Sequence, residues 1–547
     1  MDYNLLADLL FPNIDKSPDD YEKIYPERDL AEGAKVTRLG PSPTGFIHLG
    51  NLYGAFVDER LAHQSGGVFY LRIEDTDDKR FVDGAVKIII DSLRFFGINF
   101  DEGAGLNGDT GAYGDYTQSR RGNIYAAFAK KLVREGKAYP CFLTEDEIAE
   151  IRSKQELAKQ NPGIYGEFAA HRKLSLEDVE ANIKAGKPYV LRLKSDGNPD
   201  PEKARRIKVE DAIRGTLEMP ENFQDVVILK TTGIPTYHFA HVVDDHLMRT
   251  THVVRGAEWL PSLPIHVELF EKLGLKLPIY CHTAQLMKLD ENGNKRKLSK
   301  REDPELSLDY YRKLGYHPAT VREYLLTILN SNFEEWRDEH QDADIDEFTF
   351  TTEKMSNSGA LFDLNKLNDI SKDVLLRIPA REIVEFLKAW AQEFKPEIMY
   401  IFDDEEYLEK IIDLGRNDKK PRKDLIYAEQ IVGFISYFFD DMFVIEDDIP
   451  TEDDAKEILK KYMESYDHSD DQSQWFDKIR NIAVELGYAA KPKDYKKNPD
   501  DYKGHVGHVS TVIRIALMGR AQSPDVWCIQ QIMGEEMTRR RITSYEI

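Results

Sequence analysis

Cysteine is scarce, with 3 in 547 residues. Cys141, Cys281 and Cys528 lie far apart with no paired spacing, which excludes a disulfide framework and a thiolate metal site and leaves structural cysteines. Long apolar runs are missing and mean hydropathy is −0.53, so no segment is suited to span a membrane. The amino terminus, Met1-Asp2-Tyr3-Asn4-Leu5, is acidic where a secretory leader needs base, and it lacks the Arg-rich character of a transit segment. The expected compartment is the cytoplasm. Positive charge is in deficit, 74 Lys plus Arg against 98 Asp plus Glu for a formal net charge of −24. That disfavours indiscriminate binding to nucleic acid but permits a local basic surface for one shaped polyanion. What remains is an ordinary globular mix, 41% hydrophobic and 31% charged, long enough for roughly three to five domains of about 100–200 residues each.

Residues 1–33 read as a short apolar helix followed by an acidic, Pro-punctuated extension, and no chemistry is expected there. From Val36 the text alternates: a strand over 36–39, a Pro/Gly turn over 40–45, a helix over about 49–62 and a strand over 68–73, together a βαβ unit. An acidic loop at 101–116 precedes a helix pattern near 122–135. The stretch 141–225 is charged and irregular, as an insertion would be. Apolar runs at 226–229 and at Val242 and Val243 suggest strands of a second half-sheet, followed by a helix at about 264–273. Beyond about 305 the pattern is helical, with Leu425, Val432, Ile435 and Phe439 near one face at 3.6 periodicity. The acid-rich 446–454 reads as a helix-linking loop.

Three stretches could carry chemistry. The first is Arg38-Leu39-Gly40-Pro41-Ser42-Pro43-Thr44-Gly45-Phe46-Ile47-His48-Leu49-Gly50-Asn51, a strand leading through a turn into a helix start. Gly45 and Gly50 let a ligand approach the backbone, free N–H groups at the helix start favour anionic oxygens, and His48 adds a donor. The second is Leu71-Arg72-Ile73-Glu74-Asp75-Thr76-Asp77, carboxylates just beyond the carboxyl end of a strand, where open α/β sheets bind ligands. Some of these read as a helix cap, which leaves Glu74 as the residue able to hold an ammonium group. The third is Lys295-Arg296-Lys297-Leu298-Ser299-Lys300-Arg301, a cationic loop able to clamp a triphosphate. Gly103-Ala104-Gly105-Leu106-Asn107-Gly108 matches the dinucleotide fingerprint, but further glycines continue the loop where a helix should open, so a nicotinamide cofactor is not expected.

His48-Leu49-Gly50-Asn51 resembles the HIGH motif, and Lys297-Leu298-Ser299-Lys300-Arg301 the KMSKS motif, of class I aminoacyl-tRNA synthetases. Within that class the Pro-Ser-Pro-Thr-Gly lead-in and the Arg-Ile-Glu-Asp-Thr-Asp segment resemble glutamyl-tRNA synthetase of bacterial type, whereas a glutaminyl enzyme would show Pro-Glu-Pro-Asn-Gly. The segments beginning at Tyr237 and Arg255 extend the likeness across the catalytic half. The resemblance implies an α/β Rossmann-type catalytic domain with an inserted acceptor-binding domain, followed by all-helical stem-contact and anticodon-binding domains. The corresponding boundaries are 1–33 for the extension, 34–140 and 226–304 for the catalytic halves and 141–225 for the insertion, then 305–375 for the stem-contact part and 376–547 for the anticodon part.

It further implies that Arg38, Ser42, Glu74, Tyr237, His241 and Arg255 surround glutamate. Ser42, Gly45, His48, Gly50, Glu258, Trp259, Lys297, Ser299 and Lys300 would meet ATP, with His48, Lys297 and Lys300 assisting catalysis. Gly40 and His241 depart from the usual Ala and Asn or Ser of the family. Magnesium would enter with ATP. Zinc is not expected, because Leu143 stands where some members place the second cysteine of a Cys-x-Cys pair. The expected partners are tRNA(Glu), L-glutamate and ATP, with no DNA or membrane, and the expected state is a monomer. Local positive charge at 416–423 and 491–503 offers a phosphate-tracking surface, and Arg422 and Lys423 are its candidate tRNA contacts. Two rivals remain: a glutaminyl enzyme, and a catalytically silent tRNA-binding paralogue, whose mark would be erosion of the two ATP motifs.

Overall fold

The computed structural model describes residues 1–77, 82, 84–449 and 452–544. Chain contacts divide it into two units, Met1–Tyr310 with Leu325–Asp363, and Tyr311–Tyr324 with Leu364–Ile547.

The first unit is built on parallel strands. β1 (Val36–Leu39) is buried along its whole length. It runs through the Pro/Gly turn into helix α1 (Leu49–His63), which returns the chain to β2 (Val68–Leu71). β2 lies parallel to β1 in the register Val36↔Val68 to Leu39↔Leu71, and the short strand Glu102–Gly103 extends the sheet beyond it. The second half consists of β3 (His252–Gly256) and β4 (Ile279–Thr283), parallel and in register from His252↔Ile279 to Gly256↔Thr283. Helix α2 (Tyr237–Leu247) precedes β3 and helix α3 (Leu263–Leu273) connects it to β4. Thr251 N–H donates to Val36 O at 3.0 Å and Arg38 Nη1 to Val254 O at 3.2 Å, so the halves meet where β1 runs beside β3.

Two expectations for the second half-sheet are corrected. Val242 and Val243 lie in α2, not on a strand, because the apolar pair belongs to a buried helix face that also carries Phe239 and Ala240. Val227–Leu229 is a strand, but it pairs antiparallel with Val190–Leu193, which in turn pairs with Ala138–Cys141. That sheet belongs to the inserted region. A hairpin, Arg206–Asp211 with Gly215–Pro220, reaches back to β4 through the pair Asp211↔Tyr280.

The fingerprint-like glycines run from the strand Glu102–Gly103 into a hairpin in which Gly103 and Thr110 exchange backbone hydrogen bonds at 2.9 Å, and no helix opens there. The strand–turn–helix setting of a dinucleotide site is missing. The amino-terminal extension is part of the core. Helix Tyr3–Leu10, capped by Asp2, buries Leu6, Ala7 and Leu10 in the same cluster as Ile124, Phe128 and Leu132 of helix Gly122–Arg134. Arg28 then forks onto Glu102 at 2.8 and 3.0 Å, and the Tyr116 hydroxyl donates to the same carboxylate at 2.8 Å.

The second unit is helical. Among its described residues there is no strand, only an isolated bridge between Ala489 and His505. Trp390, Ile411, Ile431, Ile458, Ile479, Ile513 and Ile529 form one core across its helices. The helix through Val432 and Ile435 is shorter than the periodicity suggested, Ala428–Ile435, with Leu425 and Phe439 packing from the flanking turns. Pro450 and Thr451, inside the acid-rich stretch read as a loop, lie outside the described residues, and helix Glu452–Ser465 starts directly after them.

Arg28→Met removes the cation from a pair whose side chains are 7% and 19% exposed. Stranding Glu102 should cost about 3 kcal/mol. Calorimetry should show the transition of the first unit lowered and that of the second unmoved; an unchanged first transition would show that the extension does not brace this loop.

Candidate active site

The carboxyl ends of the parallel strands open into a cavity of about 390 Å³. Arg38, Glu74, Tyr237 and Arg255 line it together with His48, Gly50, Glu258, Trp259 and Lys297. The first motif segment and the cationic segment therefore converge. The chain leaving the cationic loop returns to the histidine: His48 and Ser307 form a β-bridge, and Leu308 N–H donates to Ile47 O at 3.3 Å. Lys300 Nζ lies 3.9 Å from the centre of the Phe46 ring, so it reaches the first motif without lining the cavity. Ser42, Gly45, His241 and Ser299 do not line it either. The Ser299 N–H instead donates to Asp303 at 2.8 Å, and its hydroxyl accepts from Glu302 N–H at 3.2 Å.

His48 caps α1. Its Nδ1 accepts from Asn51 N–H at 3.2 Å, while Asn51 Oδ1 accepts from the His48 N–H at 3.1 Å. Since Nδ1 accepts, the proton of the neutral ring sits on Nε2 and provides a donor. Burial lowers the His48 pKa, Glu258 opposes the shift and Lys297 adds to it, so the ring is neutral at physiological pH. Of the cations in the loop, Arg296 is consumed by Asp303, which it grips at 2.6 and 2.7 Å and whose carboxyl it holds far below the usual range. Lys297 is the cation left facing the cavity.

At the other end a buried ion network supports the pocket wall. Asp245, fully buried on α2, accepts from Arg72 Nη1 at 2.6 Å and from Arg38 Nε at 3.2 Å. Arg72 also donates to Glu74 Oε1 at 2.9 Å. Burial raises the Glu74 pKa, and Arg72 and Arg38 oppose it. Asp58, on α1, also lines the cavity; its buried Oδ1 has no partner among the described residues, and burial raises its pKa while Arg38 opposes the shift. Tyr237 stands against Trp259 at 4.4 Å between centroids and stacks on His241. Arg255 is buried and passes over the Tyr280 ring. Its Nε donates to His282 at 2.9 Å and its Nη1 to His266 at 3.1 Å, whereas its buried Nη2 has no partner among the described residues. An unpaired guanidinium N–H at a cavity wall is a ready carboxylate donor.

His241 sits behind Tyr237, not in the cavity wall: Nε2 pairs with the Tyr280 hydroxyl at 3.1 Å and Nδ1 lies 2.5 Å from Asp245. Sequence reasoning missed His266, His282 and Asp211. The signal was the parallel register that sets His282 beside Arg255, and no local pattern encodes it. Among the described residues no group of three or more His, Cys, Asp or Glu is placed to hold a metal ion.

In the second unit Arg416 does not belong to a phosphate-tracking surface. It is buried and donates to Leu376 O at 3.2 Å and to the carbonyls of Leu375 and Ile378, closing a helix end whose acceptors would otherwise be unpaired. Arg422 pairs with Asp424, and the exposed Lys423 with Asp373 at 2.7 Å.

Burial lowers the pKa of His241 to about 4 from an unfolded value of 6.5. The unfolded chain therefore binds the extra proton first as pH falls, so the stability contributed by the neutral ring is complete above pH 6.5 and is lost between 6.5 and about 4. His241→Asn should flatten the pH dependence of urea unfolding of the first unit by up to ~1.4 kcal/mol per pH unit in that window. A slope equal to that of the parent chain would contradict the buried neutral ring.

The chain is similar to known proteins over nearly its whole length. The family described as tRNA synthetases class I (E and Q), catalytic domain, matches residues 35–369, and an anticodon binding domain matches residues 382–545. A glutamate–tRNA ligase of Acetivibrio thermocellus is 64% identical over 99% of this chain and 99% of its own length. One of Clostridium perfringens is 50% identical over 99% of this chain and 100% of its own. The crystal structure of a glutamate tRNA ligase from Elizabethkingia meningosepticum in complex with its amino acid superposes with a TM-score of 0.75 at 28% identity, covering 93% of this chain and 98% of that one. With its catalytic match spanning more than half of the chain and relatives aligned end to end, the chain belongs to the glutamate–tRNA ligase family of class I aminoacyl-tRNA synthetases.

Proposed function

We propose that this chain joins L-glutamate to tRNA(Glu) at the cavity under the two motifs. An oxygen of the glutamate α-carboxylate attacks the α-phosphorus of ATP and expels pyrophosphate. A hydroxyl of the terminal adenosine, the 2′ in the first instance, then captures the adenylate and AMP leaves. No protein nucleophile takes part, so the catalytic contribution is positioning and charge stabilisation.

The observation that carries this reading is the unpaired, buried Nη2 of Arg255, a residue that lines the same cavity as Glu74. Glu74 offers a carboxylate to the α-ammonium, and Arg38 steadies that end. Arg255, beside the Tyr237 ring, takes the side-chain carboxylate; a neutral amide lacks the second anionic oxygen that the guanidinium expects. The Nε2–H of His48 and the ammonium of Lys297 meet the phosphates, Lys300 joins them as the loop moves onto ATP, and Glu258 and Trp259 border the adenosine. Ser42, Gly45, Gly50 and Ser299 complete the nucleotide contacts through backbone and hydroxyl groups. Magnesium arrives as part of the substrate complex with ATP. tRNA binds before glutamate is activated, with Arg422 and Lys423 exchanging their acidic partners for phosphate. The chain works as a cytoplasmic monomer.

Arg255→Ala should lower kcat/KM for glutamate by about 10⁴-fold, the scale set by a lost specific polar contact, with tRNA affinity unchanged in filter binding. Loss of tRNA binding instead would remove Arg255 from the amino-acid pocket. Lys300→Ala should slow tRNA-dependent ATP–pyrophosphate exchange by about 10²–10³-fold. Near-parental exchange would place Lys300 outside the reaction. The same exchange assay run with glutamine separates this reading from a glutaminyl enzyme.

A further inference from the structure

Arg255 is held by neutral groups, which is unusual for a buried guanidinium, whose ordinary partner is a carboxylate. An arginine nitrogen only donates, so both ring nitrogens that face it must be acceptors. His282 Nε2 accepts from Nε at 2.9 Å, which puts the ring proton on Nδ1, and Nδ1 donates to Asp211 Oδ2 at 2.7 Å. Asp211 is anchored in turn by N–H groups of Ile213 at 3.0 Å and Arg214 at 2.9 Å. On the other side, His266 Nδ1 accepts from Nη1 at 3.1 Å, so Nε2 carries the proton and donates to His238 Nδ1 at 2.9 Å. Burial lowers the pKa of His282, His266 and His238, with Arg255 adding to the shift, so the rings stay neutral. The Asp211 carboxylate is kept one imidazole away from Arg255.

We propose that His282 and His266 are positioning residues for amino-acid selection: they aim the free Nη2 of Arg255 into the cavity, and Asp211 sets the tautomer that lets His282 do so. This rests on the reading of Arg255 as the receptor of the side-chain carboxylate. The arrangement separates orientation from neutralisation. A carboxylate bonded directly to Arg255 would hold it equally well but would offset the charge that the substrate must find. A neutral imidazole transmits the pull of Asp211 and leaves the guanidinium charge for the ligand. His282 also stacks on Tyr280, over which Arg255 passes, so the acceptor and the surface beneath the guanidinium move together.

Asp211→Asn keeps size and shape but presents an N–H to Nδ1 of His282, shifting the ring proton to Nε2, where it opposes the Arg255 donor. The full-length variant should show a KM for glutamate raised about 10- to 100-fold. Its KM for ATP, its tRNA affinity and its kcat at saturating glutamate should stay within about threefold of the parent, and the ratio of kcat/KM for glutamate over glutamine should fall. His282→Phe should behave likewise. His282→Gln, which supplies one acceptor and one donor in the same order, should return the glutamate KM to within about threefold. The proposal is overturned if Asp211→Asn or His282→Phe, folded by calorimetry, leaves KM and selectivity unchanged, or if His282→Gln is as impaired as His282→Phe. Should His282→Phe fail to fold, Asp211→Asn alone decides. Measured beside them, Arg255→Ala separates the two levels: a defect there with parental behaviour in the cradle variants rejects only the cradle, whereas no defect there rejects the pocket assignment itself.

Discussion

Asp245 is the constraint on which the amino-acid end of the site depends. Its fully buried carboxylate is shared by Arg38 on β1 and Arg72 just past β2, and it belongs to α2, the helix that delivers Tyr237 to the cavity. Three elements from both halves of the sheet are thereby held to one point. Desolvating these ions is costly, and a buried pair is weak evidence of net stability. Its value here is geometric. Arg72 is held by Asp245 and in turn holds Glu74 at 2.9 Å, so the carboxylate that faces the cavity is placed by a chain of two ion pairs. The neighbouring Asp244 repeats the device outward, accepting from Arg121 at 2.7 Å, Tyr125 at 2.7 Å and Gln118 at 2.9 Å, and ties α2 to the helix that carries the amino-terminal extension.

The charges at the Arg255 end of the pocket agree with the proposed ligand. Arg38 and Arg72 pair with Asp245 and Glu74, the histidines beside Arg255 are neutral, and the Asp211 carboxylate reaches Arg255 only through His282. Among the described residues no carboxylate hydrogen-bonds Arg255 directly, so its guanidinium charge is open to a ligand. Glutamate carries two carboxylates and one ammonium, an excess of one negative charge, whereas glutamine carries none. The Arg255 end of the pocket and the glutamate side chain are therefore complementary in charge, and in a cavity of low dielectric a charge without a direct partner is a decisive discriminator.

How much of this was legible in the sequence depended on whether the signal was local. β1, the turn and α1 were readable because strand alternation, Pro/Gly punctuation and helix periodicity all operate within a few residues, and His48 stood at the boundary they defined. Val242 and Val243 misled because two adjacent apolar residues fit a buried helix face as well as a strand. Arg416 misled for the complementary reason: a charge run tells nothing about which of its members caps a helix from within. The partners of Arg255 were not readable. His282 meets it through strand register, His266 through a crossover helix, and Asp211 through a hairpin from the insertion, at separations in sequence of 27, 11 and, for Asp211 to His282, 71 residues.

Gly40 shows how a local departure can follow from this long-range network. A Cβ built at that position would come within 2.3 Å of Glu74 Oε1 and 2.8 Å of its Cδ. The Glu74 side chain thus lies against the backbone of the turn after β1, in space that an alanine methyl would fill. The far end of a glutamate is flexible, so a methyl would displace the carboxylate without unfolding the turn, but Oε1 is the oxygen that Arg72 holds. Any shift away from Gly40 stretches the link from Asp245 through Arg72 to the cavity. In this chain the glycine is therefore matched to the position of Glu74, and the pocket wall on that side is drawn back by about one methyl group relative to an alanine-bearing turn. The two residues form one steric unit: the conformation of Glu74 requires a glycine at 40, and a glycine at 40 admits the conformation that Arg72 can reach.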